Sequence, residues 1–352
     1  MDLRVGLLGY GIGGAVFHAP LIAATPGLRL DAIVTGNPER SARARADHPD
    51  AEVVPDAGRL WDRGLDLVVV TTPNRTHVRL ATAAVDAGIP VVVDKPLATT
   101  AADGRALVER ARARGVPLTS FQNRRWDGDF RTVRQLAGSG QLGDVYRFES
   151  RFERWRPTPK AGWRESGGLD DGGGILNDLG SHLIDQAVEL FGPVSTVYGE
   201  VDLRRPGVRV DDDAFVALTH ASGTRSHLWM SAVAAQLGPR FRVLGSRAGY
   251  RKDGLDGQEA ALRAGGSPAD EGWGTEPPDT WGVLGTDDDH RRIPTLPGTY
   301  EEFYAGMRDA LTGGAPLPVD PESSVHVLEI IETARRSAET GTPVRLRAVR
   351  AG

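Results

Sequence analysis

Hydrophobic residues are spaced in two different ways along the chain, and the spacing changes near residue 122. Before that point, short runs that are apolar at nearly every position alternate with stretches of helical spacing. The runs cover residues 3–9, 28–34, 65–71 and 90–94. Continuous apolar runs of this length are typical of strands buried on both faces of a parallel sheet. The alternation therefore predicts an α/β domain with a doubly wound parallel sheet.

After residue 122, apolar and polar positions alternate with period two, which is typical of strands with one buried face. In the first such strand Tyr146, Phe148, Ser150 and Phe152 share a face. Further strands are predicted at residues 197–203, 214–219 and 225–232, with a hairpin turn at 221–224. Strands of this kind joined by turns predict a large, mainly antiparallel sheet with one open face.

The two patterns predict two domains. We place a Rossmann-type domain at residues 1–122 and an α+β domain at 123–352, and a length of 352 residues also favours two domains. Helices predicted at 300–311 and 322–338 close the chain and are candidates to pack back on the first domain. The glycine-rich stretch 251–274, with a short helical piece at 258–263, has no role that the sequence defines.

Composition excludes several classes of function. The chain is 40% hydrophobic and 25% charged, with a formal net charge of −5, so we expect a soluble protein that does not bind nucleic acid. No apolar run is long enough to cross a membrane, and the chain enters a strand at once, without a signal peptide. Zero cysteines exclude disulfides and thiolate chemistry. These features together predict a cytoplasmic protein.

The first strand ends in a glycine-rich loop that opens a predicted helix at residues 15–24. The loop consists of Gly9, Tyr10, Gly11, Ile12, Gly13 and Gly14. Glycine at its first, third and sixth positions allows a tight turn, close approach of a pyrophosphate and close packing of helix on strand. A position between a strand and a helix makes this pattern credible, so we predict that the loop binds a dinucleotide.

The end of the second strand bears on the choice of cofactor. An NAD site usually has Asp or Glu there, about 20 residues after the glycine loop, to bind the ribose 2′-hydroxyl. This chain has Thr35 and, shortly after it, Arg40, whereas Asp31 lies too early in the strand. Small polar groups and an arginine suit a 2′-phosphate, so NADP is favoured and NAD stays open.

Two later strand ends supply further candidates, because ligands of such sheets lie beyond the carboxyl ends of the strands. Thr71, Thr72, Pro73, Asn74 and His77 follow the third run, and Asp94, Lys95 and Pro96 follow the fourth. Only three of the 42 basic residues are lysines. A lysine kept at a strand end suits the donation of a hydrogen bond to a substrate hydroxyl.

One helix in the second domain, predicted within residues 171–192, combines two stripes of residues. Its apolar stripe is Leu176, Leu179, Leu183, Ala187 and Leu190, and its polar stripe is Asp178, His182, Asp185 and Glu189. Asp178 and His182 are four residues apart, so their side chains can meet, and a carboxylate beside an imidazole suits a general base. On the helix alone, an ordinary solvated face is the alternative.

With the glycine loop, the Asp94-Lys95-Pro96 turn and the Asp178/His182 helix, the chain resembles the Gfo/Idh/MocA family of sugar and polyol dehydrogenases from end to end. The family's Glu-Lys-Pro signature is Asp-Lys-Pro here, a departure that shortens one cofactor-facing side chain and keeps the lysine. Stretches at residues 16–20, 123–130, 178–186 and 254–274 resemble the branch of NADP-dependent scyllo-inositol dehydrogenases.

The resemblance implies an NAD(P)-dependent oxidation of a ring secondary alcohol in a polyol or sugar, with scyllo-inositol as the expected substrate. The implied catalytic trio is Lys95, Asp178 and His182. Expected cofactor contacts are the loop 9–14, Thr35, Arg40, Thr71, Thr72, Pro73, Asn74, His77, Asp94, Lys95, Asn123, Trp163 and Arg164. Expected substrate contacts are Arg124, Arg125, Asp127 and Trp155 beside the trio. We expect a homodimer or homotetramer formed through the open sheet, and no metal.

Three other interpretations stay open. The same fold could serve a non-catalytic sensor that binds a dinucleotide and a sugar, because fold does not determine function. The same residues could work in reverse, as an NADP-dependent reductase of another keto-sugar. Asp178, His182 and Asp185 have ligand types and a helical spacing that could hold a divalent metal ion.

Overall fold

A computed structural model describes residues 2–159, 168 and 171–346. The chain divides into two compact units. Unit 1 comprises residues 1–126, 257–274 and 298–325, and unit 2 comprises residues 127–256, 275–297 and 326–352. The domain boundary predicted at residue 122 stays a prediction.

Helices occupy both units. In chain order they are α1 Ala19–Ala24, α2 Pro38–Asp47, α3 His77–Asp86, α4 Ala101–Arg114, α5 Gly128–Gly138, α6 Ser181–Phe191, α7 Gln258–Arg263, α8 Glu301–Gly313 and α9 Pro321–Thr340. π-Helical turns at Gly13–His18 and Leu176–Gly180 run directly into α1 and α6, and 3-10 turns lie at Ala57–Arg59, Asn74–Thr76, Asn123–Trp126 and Pro278–Thr280. No helix among the described residues is both long and apolar enough to span a membrane.

Unit 1 contains a six-stranded sheet in the order β3-β2-β1-β4-β5-β6. Its strands are β1 Leu3–Leu8, β2 Leu28–Val34, β3 Glu52–Val54, β4 Leu67–Val70, β5 Val91–Asp94 and β6 Leu118–Phe121. Every neighbouring pair is parallel. The order and direction are those of the Rossmann fold, so the predicted doubly wound sheet is confirmed.

Unit 1 buries apolar residues on both faces of this sheet. Val5, Leu7 and Val69 belong to one cluster, while Val68 and Val70 belong to the other. Adjacent residues of a strand point to opposite faces, so a strand with a core on each side must be apolar throughout. This is the physical reason for the continuous apolar runs in the sequence.

Unit 2 contains a nine-stranded sheet in the order β14-β13-β12-β11-β7-β10-β9-β8-β15. Its strands are β7 Val145–Glu153, β8 Val194–Asp202, β9 Asp213–His220, β10 Arg225–Ser231, β11 Phe241–Gly245, β12 Gly249–Lys252, β13 Gly282–Gly285, β14 His290–Ile293 and β15 Val344–Arg345. The central β7–β10 pair is parallel and the other neighbouring pairs are antiparallel. The predicted mainly antiparallel sheet is confirmed.

One face of the unit 2 sheet is buried and the other is only partly covered. Along β9, Ala214, Val216 and Leu218 are buried, while the residues between them are half-buried. The less covered face carries Phe215 and Trp229, whose rings lie 5.0 Å apart. The predicted free face is therefore present, and it is rich in aromatic groups.

The structure corrects two details of the predictions for unit 2 and one for unit 1. The alternation in β7 predicts that Tyr146 shares a face with Phe148 and Phe152, but Tyr146 is 54% exposed while the two phenylalanines are fully buried. The first turns of the helices predicted at 15–24 and within 171–192 are π-helical. In the first of these turns, Pro20 lacks the N–H that would otherwise donate to the carbonyl of Val16. Ala19, the residue before Pro20, donates its N–H to the carbonyl of Gly14, five residues back, which is a π-helical hydrogen bond.

Candidate active site

The glycine loop of unit 1 is folded tightly over the ends of β1 and β4. Gly9 has a φ of +103°, a left-handed conformation that favours glycine. A Cβ at Gly14 would lie 2.1 Å from the Gly9 carbonyl oxygen and 2.9 Å from Thr71 Oγ1. By contrast, a Cβ at Gly11 would meet only Arg40 Nη1, at 3.9 Å. The loop thus combines a sterically closed base with an open rim at Gly11, which fits a bound pyrophosphate.

The two side chains of the loop point to different environments. Tyr10 is buried, and its hydroxyl donates to Asp47 Oδ2 at 2.8 Å. Burial and this bond to the carboxylate raise the pKa of Tyr10. Ile12 is 52% exposed. Tyr10 therefore anchors the loop in the unit, while Ile12 presents an apolar surface on the outside of it.

The end of β2 leads through polar residues into α2. Thr35 is buried, and its N–H donates to the carbonyl of Val54. Asn37 caps α2, since its Oδ1 accepts the backbone N–H of Arg40 at 2.9 Å. The cap places Arg40 in the first turn of α2, from which its guanidinium reaches the rim at Gly11.

Asp31 is the carboxylate nearest in sequence to the end of β2, and it is already paired. Its two oxygens accept hydrogen bonds from Arg4 at 3.2 and 3.0 Å. Arg29 and Arg63 lie 3.1 and 3.9 Å away. The hydrogen bond from Arg4 is the main reason why the pKa of Asp31 is lowered. Asp31 is therefore held as a structural anion within the strand.

The turn after β4 is tied to the turn after β5 through His77. The imidazole is buried, with Nε2 2.8 Å from the carbonyl oxygen of Thr72 and Nδ1 2.9 Å from that of Pro96. Burial lowers the pKa of His77, although nearby Asp94 opposes this effect. Both ring nitrogens face backbone oxygens, so the structure gives His77 a position that braces the two turns. Its predicted contact with the cofactor stays a prediction.

Asp94 lies at the point where β5 meets the glycine loop. Its Oδ1 accepts the backbone N–H of Lys95 at 2.8 Å, and its Oδ2 lies 2.8 Å from the place that a Cβ of Gly13 would take. Burial alone would raise the pKa of Asp94, but His18, His77 and Lys95 outweigh burial and lower it. The shorter carboxylate is thus an anion beside the loop, and it fixes the backbone of the half-buried Lys95.

A buried group of residues next to Asp94 was not predicted from the sequence. His18 is fully buried, and its Nε2 lies 3.7 Å from Asp94 Oδ1 while its Nδ1 lies 2.5 Å from the hydroxyl of Tyr304. The imidazole also packs on Phe121, with ring centroids 4.2 Å apart. The signal in the sequence is a histidine at an apolar helix start, within residues 16–20.

The predicted substrate residues near the end of unit 1 are engaged within the unit. Arg124 is buried and lies 2.6 Å from Glu259 Oε2, and Arg125 is buried and donates to Ser323 Oγ at 3.1 Å. Asn123 is also buried, at the start of the 3-10 turn that carries all three. These contacts attach the turn to α7 and to the start of α9. Polyol recognition by the two arginines stays a prediction.

In unit 2, the helix with Asp178 and His182 starts after three glycines. Gly172 and Gly174 have φ values of +71° and +96°. The Asp178 N–H donates to the Gly174 carbonyl at 3.0 Å, and Asn177 Nδ2 donates to that of Gly173 at 2.8 Å. The predicted apolar stripe is confirmed, because Leu176, Leu179, Leu183 and Ala187 belong to the main core and Leu190 packs against it.

The polar stripe of this helix differs from an ordinary solvated face. His182 is 5% exposed and Asp185 is 2% exposed, while Asp178 is half-buried. One turn further on, Gln186 is fully buried, and its Oε1 accepts a hydrogen bond from Arg240 at 2.8 Å. Buried ionisable groups are uncommon unless they have a structural or functional partner. The burial of His182 and Asp185 contradicts the alternative of an ordinary solvated face, and the catalytic role of the stripe stays a prediction.

The remaining predicted residues are distributed as follows. Asp127 is fully buried at the N-terminus of α5, whereas Trp155 is 56% exposed next to β7. Trp163 and Arg164 lie outside the described residues. Lys95 belongs to unit 1, and Asp178 and His182 belong to unit 2. No group of three or more His, Asp or Glu side chains within the described residues is arranged to hold a metal ion.

Two protein-family models match the chain. Residues 3–121 match the model of an oxidoreductase family with an NAD-binding Rossmann fold, and residues 130–251 match the GFO/IDH/MocA C-terminal domain. Both matches fall within the parts of the sequence that predicted two different architectures. The first match assigns an NAD-binding role to residues 3–121, which contain the sheet of unit 1.

Full-length relatives agree with these models. The uncharacterised oxidoreductase YdgJ of Escherichia coli K12 is 43% identical, over 96% of this chain and 97% of its own. The NADP-dependent scyllo-inositol 2-dehydrogenase IolW of Bacillus subtilis 168 is 36% identical, over 98% and 96%. The crystallised oxidoreductase yvaA of Bacillus subtilis superposes with a TM-score of 0.92 at 36% identity, over 98% and 99%.

The closed base of the glycine loop predicts the effect of one methyl group. In Gly14→Ala the new Cβ would collide with the Gly9 carbonyl, so the loop must open. We expect the dissociation constant for NADP⁺, measured by calorimetry, to rise roughly tenfold or more, about 1.4 kcal/mol. Gly138→Ala is the matched control, because nothing lies within 4 Å of a Cβ there. Unchanged NADP⁺ binding by Gly14→Ala would remove the loop from the cofactor site.

The position of Arg40 predicts a change in cofactor preference. Removal of its guanidinium takes a positive charge from the rim of the loop, and only NADP carries a 2′-phosphate. We expect Arg40→Ala to raise the dissociation constant for NADP⁺ roughly tenfold, since a hydrogen bond to a charged group contributes about 1.5–3 kcal/mol, and to leave that for NAD⁺ unchanged. Arg43→Ala, which removes an arginine paired with Asp47 on the same helix, is the control. Equal effects of Arg40→Ala on both cofactors would contradict this assignment.

Proposed function

Because the chain belongs to the Gfo/Idh/MocA family and is an NAD(P)-dependent dehydrogenase, we propose that it oxidises a ring secondary alcohol of a polyol or sugar to the ketone, reversibly. The proposed substrate is scyllo-inositol, and the product is the corresponding inosose. NADP is the proposed cofactor. The runner-up is the reduction of another keto-sugar by the same residues.

The observation that supports this function most is the burial of His182 on a helix shared with Asp178. It occurs in a chain that aligns over nearly its full length with a scyllo-inositol 2-dehydrogenase. An imidazole removed from bulk water, on the same helix as a carboxylate, suits proton transfer at a substrate hydroxyl better than solvation of a surface. The substrate itself is inferred from the relative's name.

His182 is the proposed general base. Oxidation of an alcohol requires loss of the hydroxyl proton as the carbon–hydrogen bond breaks, so a base must lie within hydrogen-bond reach of that oxygen. In this proposal the imidazole of His182 takes the proton. Asp178 orients the ring and, as an anion, stabilises the imidazolium that forms. Asp178 is also a candidate to bind a neighbouring hydroxyl of the polyol.

Lys95 is the proposed electrostatic partner of the reacting oxygen. Its ammonium group donates a hydrogen bond to the oxygen as negative charge develops there. This electrostatic stabilisation is strongest where water is excluded. The Asp94 carboxylate, which accepts the Lys95 N–H at 2.8 Å, keeps the backbone of the lysine in place. The glycine loop, Thr71 and Arg40 would hold the nicotinamide cofactor, which supplies the redox chemistry by accepting a hydride when bound.

NADP is proposed over NAD on two grounds. Thr35 follows directly after β2 and Arg40 lies in the first turn of α2 beside Glu39, while Asp31, the carboxylate within the strand, is paired with Arg4. The relative IolW is named as an NADP⁺ enzyme. A 2′-phosphate is best bound by a planar, permanently charged guanidinium.

The test of the function is absorbance at the reduced-nicotinamide wavelength. The protein is mixed with NADP⁺ or NAD⁺ and with a panel of scyllo-inositol, myo-inositol, aldoses and glycosides. We expect a rise with scyllo-inositol and NADP⁺. His182→Ala should lower turnover by roughly two to four orders of magnitude, because general base catalysis contributes about that much, with little change in NADP⁺ affinity.

The matched control is His326→Ala, since His326 is a partly buried histidine of α9 paired with Glu329 at 3.3 Å and has no role in the proposal. Unchanged turnover in His182→Ala would remove His182 from the mechanism. No rise with any polyol, despite tight NADP⁺ binding, would contradict the proposed substrate class and favour the sensor.

Lys95→Arg tests the electrostatic role separately. A guanidinium keeps the positive charge but is bulkier and presents its donors in a fixed plane. We expect turnover of scyllo-inositol to fall roughly a hundredfold, about 2.7 kcal/mol, as when one oxyanion donor is lost. The dissociation constant for NADP⁺ serves as the internal control and should stay within about threefold of wild type. Near-normal turnover would make Lys95 a structural residue only.

A further inference from the structure

The helix that carries Asp178 and His182 has no cap of its own. The residue at the N-cap position of its π-helical turn is Ile175, whose apolar side chain makes no capping hydrogen bond. The first N–H groups of a helix need acceptors, and these usually come from a Ser, Thr, Asp or Asn at the cap position. Ile175 cannot supply such an acceptor.

Asp211 supplies these acceptors from the segment just before β9. Its Oδ2 accepts the N–H of Leu176 at 2.7 Å, and its backbone carbonyl accepts the N–H of Ile175 at 2.8 Å. The side chain of Asp211 is only 1% exposed. One residue, 35 positions away in the sequence, therefore holds both N–H groups at the start of the helix. Negative charge at this end also complements the helix dipole.

The second oxygen of the Asp211 carboxylate is held from α9 and occupies a space that only glycine leaves. Oδ1 lies 2.8 Å from Arg335 Nη1. A Cβ at Gly174 would lie 2.2 Å from the same Oδ1. Gly174, with its φ of +96°, therefore makes room for the carboxylate at the entrance of the helix.

The backbone bonds that follow connect this cap to the proposed catalytic groups. Asp178 N–H donates to the Gly174 carbonyl at 3.0 Å, so the peptide against which Asp211 packs also fixes the backbone of Asp178. His182 lies four residues further along the same continuous helix. A shift at Gly174 or Leu176 is therefore transmitted to Asp178 and His182 as a movement of the whole first turn.

We propose that Asp211 is a positioning residue of the dehydrogenase reaction, which sets the register of the Asp178/His182 helix and is itself held by Arg335. The inference rests on the proposed function, because it assumes that Asp178 and His182 do the chemistry. It does not depend on which polyol is the substrate.

Asp211→Asn is the decisive substitution, because asparagine has the shape of aspartate but carries an NH₂ group in place of one carboxylate oxygen. The carboxylate has two acceptor oxygens, which face two donors, the Leu176 N–H and the Arg335 guanidinium. An asparagine amide has one acceptor oxygen, and its NH₂ group must face one of these donors. One of the two contacts is therefore lost, and the helix start must move or rotate.

The expected result is a loss of rate without a loss of cofactor binding. With scyllo-inositol and NADP⁺, we expect kcat of Asp211→Asn to fall roughly ten- to hundredfold, since a misplacement of about 1 Å has an effect of that size. The KM for scyllo-inositol should change less than kcat, and the dissociation constant for NADP⁺ should not change. In protein labelled with ¹³C at histidine Cε1, the His182 resonance, assigned with His182→Ala, should move.

Asp212→Asn is the matched control. Asp212 is adjacent and equally buried, and its carboxylate also accepts backbone N–H groups, from Arg204 at 2.7 Å and Arg205 at 3.0 Å. It also pairs with the Arg205 guanidinium at 2.8 Å. Its contacts fix a loop rather than the helix start, so kcat should stay within about threefold and the His182 resonance should not move. Equal effects of both substitutions on kcat and on the resonance would overturn the proposal.

Arg335→Gln provides a second variant in case Asp211→Asn folds poorly. It removes the partner of Oδ1 but leaves both bonds from Asp211 to the helix start, so we expect the same direction of change in kcat and resonance, with a smaller size. A silent Arg335→Gln together with a normal His182 resonance in Asp211→Asn would overturn the proposal. If wild type fails to oxidise scyllo-inositol, the proposed function fails, while the resonances still decide whether Asp211 positions His182.

Discussion

The contact between Gly14 and the carbonyl of Gly9 is the constraint on which unit 1 depends. A Cβ at Gly14 would lie 2.1 Å from that oxygen, so the helix that starts there can approach β1 only because position 14 lacks a side chain. Thr71 Oγ1, 2.9 Å from the same oxygen, joins the end of β4 to the loop. The Asp94 carboxylate beside the loop adds the end of β5, and with it the backbone of Lys95. A single close approach thus brings three strand ends to one loop.

Unit 2 uses the same physical device with a different partner. Gly174 leaves the space that the Asp211 carboxylate occupies. The carboxylate accepts the N–H of Leu176, at the start of the helix with Asp178 and His182. In both units a glycine permits a polar oxygen to enter a helix start. In unit 1 the oxygen belongs to the backbone and the open rim of the loop is left for a pyrophosphate. In unit 2 it belongs to an aspartate, and the helix start is closed by the protein itself.

Local patterns in the sequence predicted what depends on local physics. Continuous apolar runs identified β2 at its observed bounds, and helical spacing identified the apolar stripe of Leu176, Leu179 and Leu183. The pairing of Asp211 with Leu176, and that of His18 with Tyr304, could not be predicted. These residues are 35 and 286 positions apart, and hydrophobic periodicity carries no information about which distant polar groups meet. The π-helical turns were missed for a related reason, because a stripe of apolar residues looks similar in either kind of helix.

The scarcity of lysine does not by itself distinguish a catalytic lysine from a structural one. It drew attention to Lys95, but it applies equally to Lys252, which is 1% exposed and lies 3.0 Å from Glu276 Oε2. Lys252 also donates to the carbonyl of Asp253 at 2.8 Å, so both of these contacts of its ammonium group lie within unit 2. A lysine retained in an arginine-rich chain therefore marks a site that needs a compact ammonium group, whether that site is structural or chemical. The case for Lys95 depends instead on its position, half-buried at the carboxyl end of β5, where the ligands of parallel sheets bind.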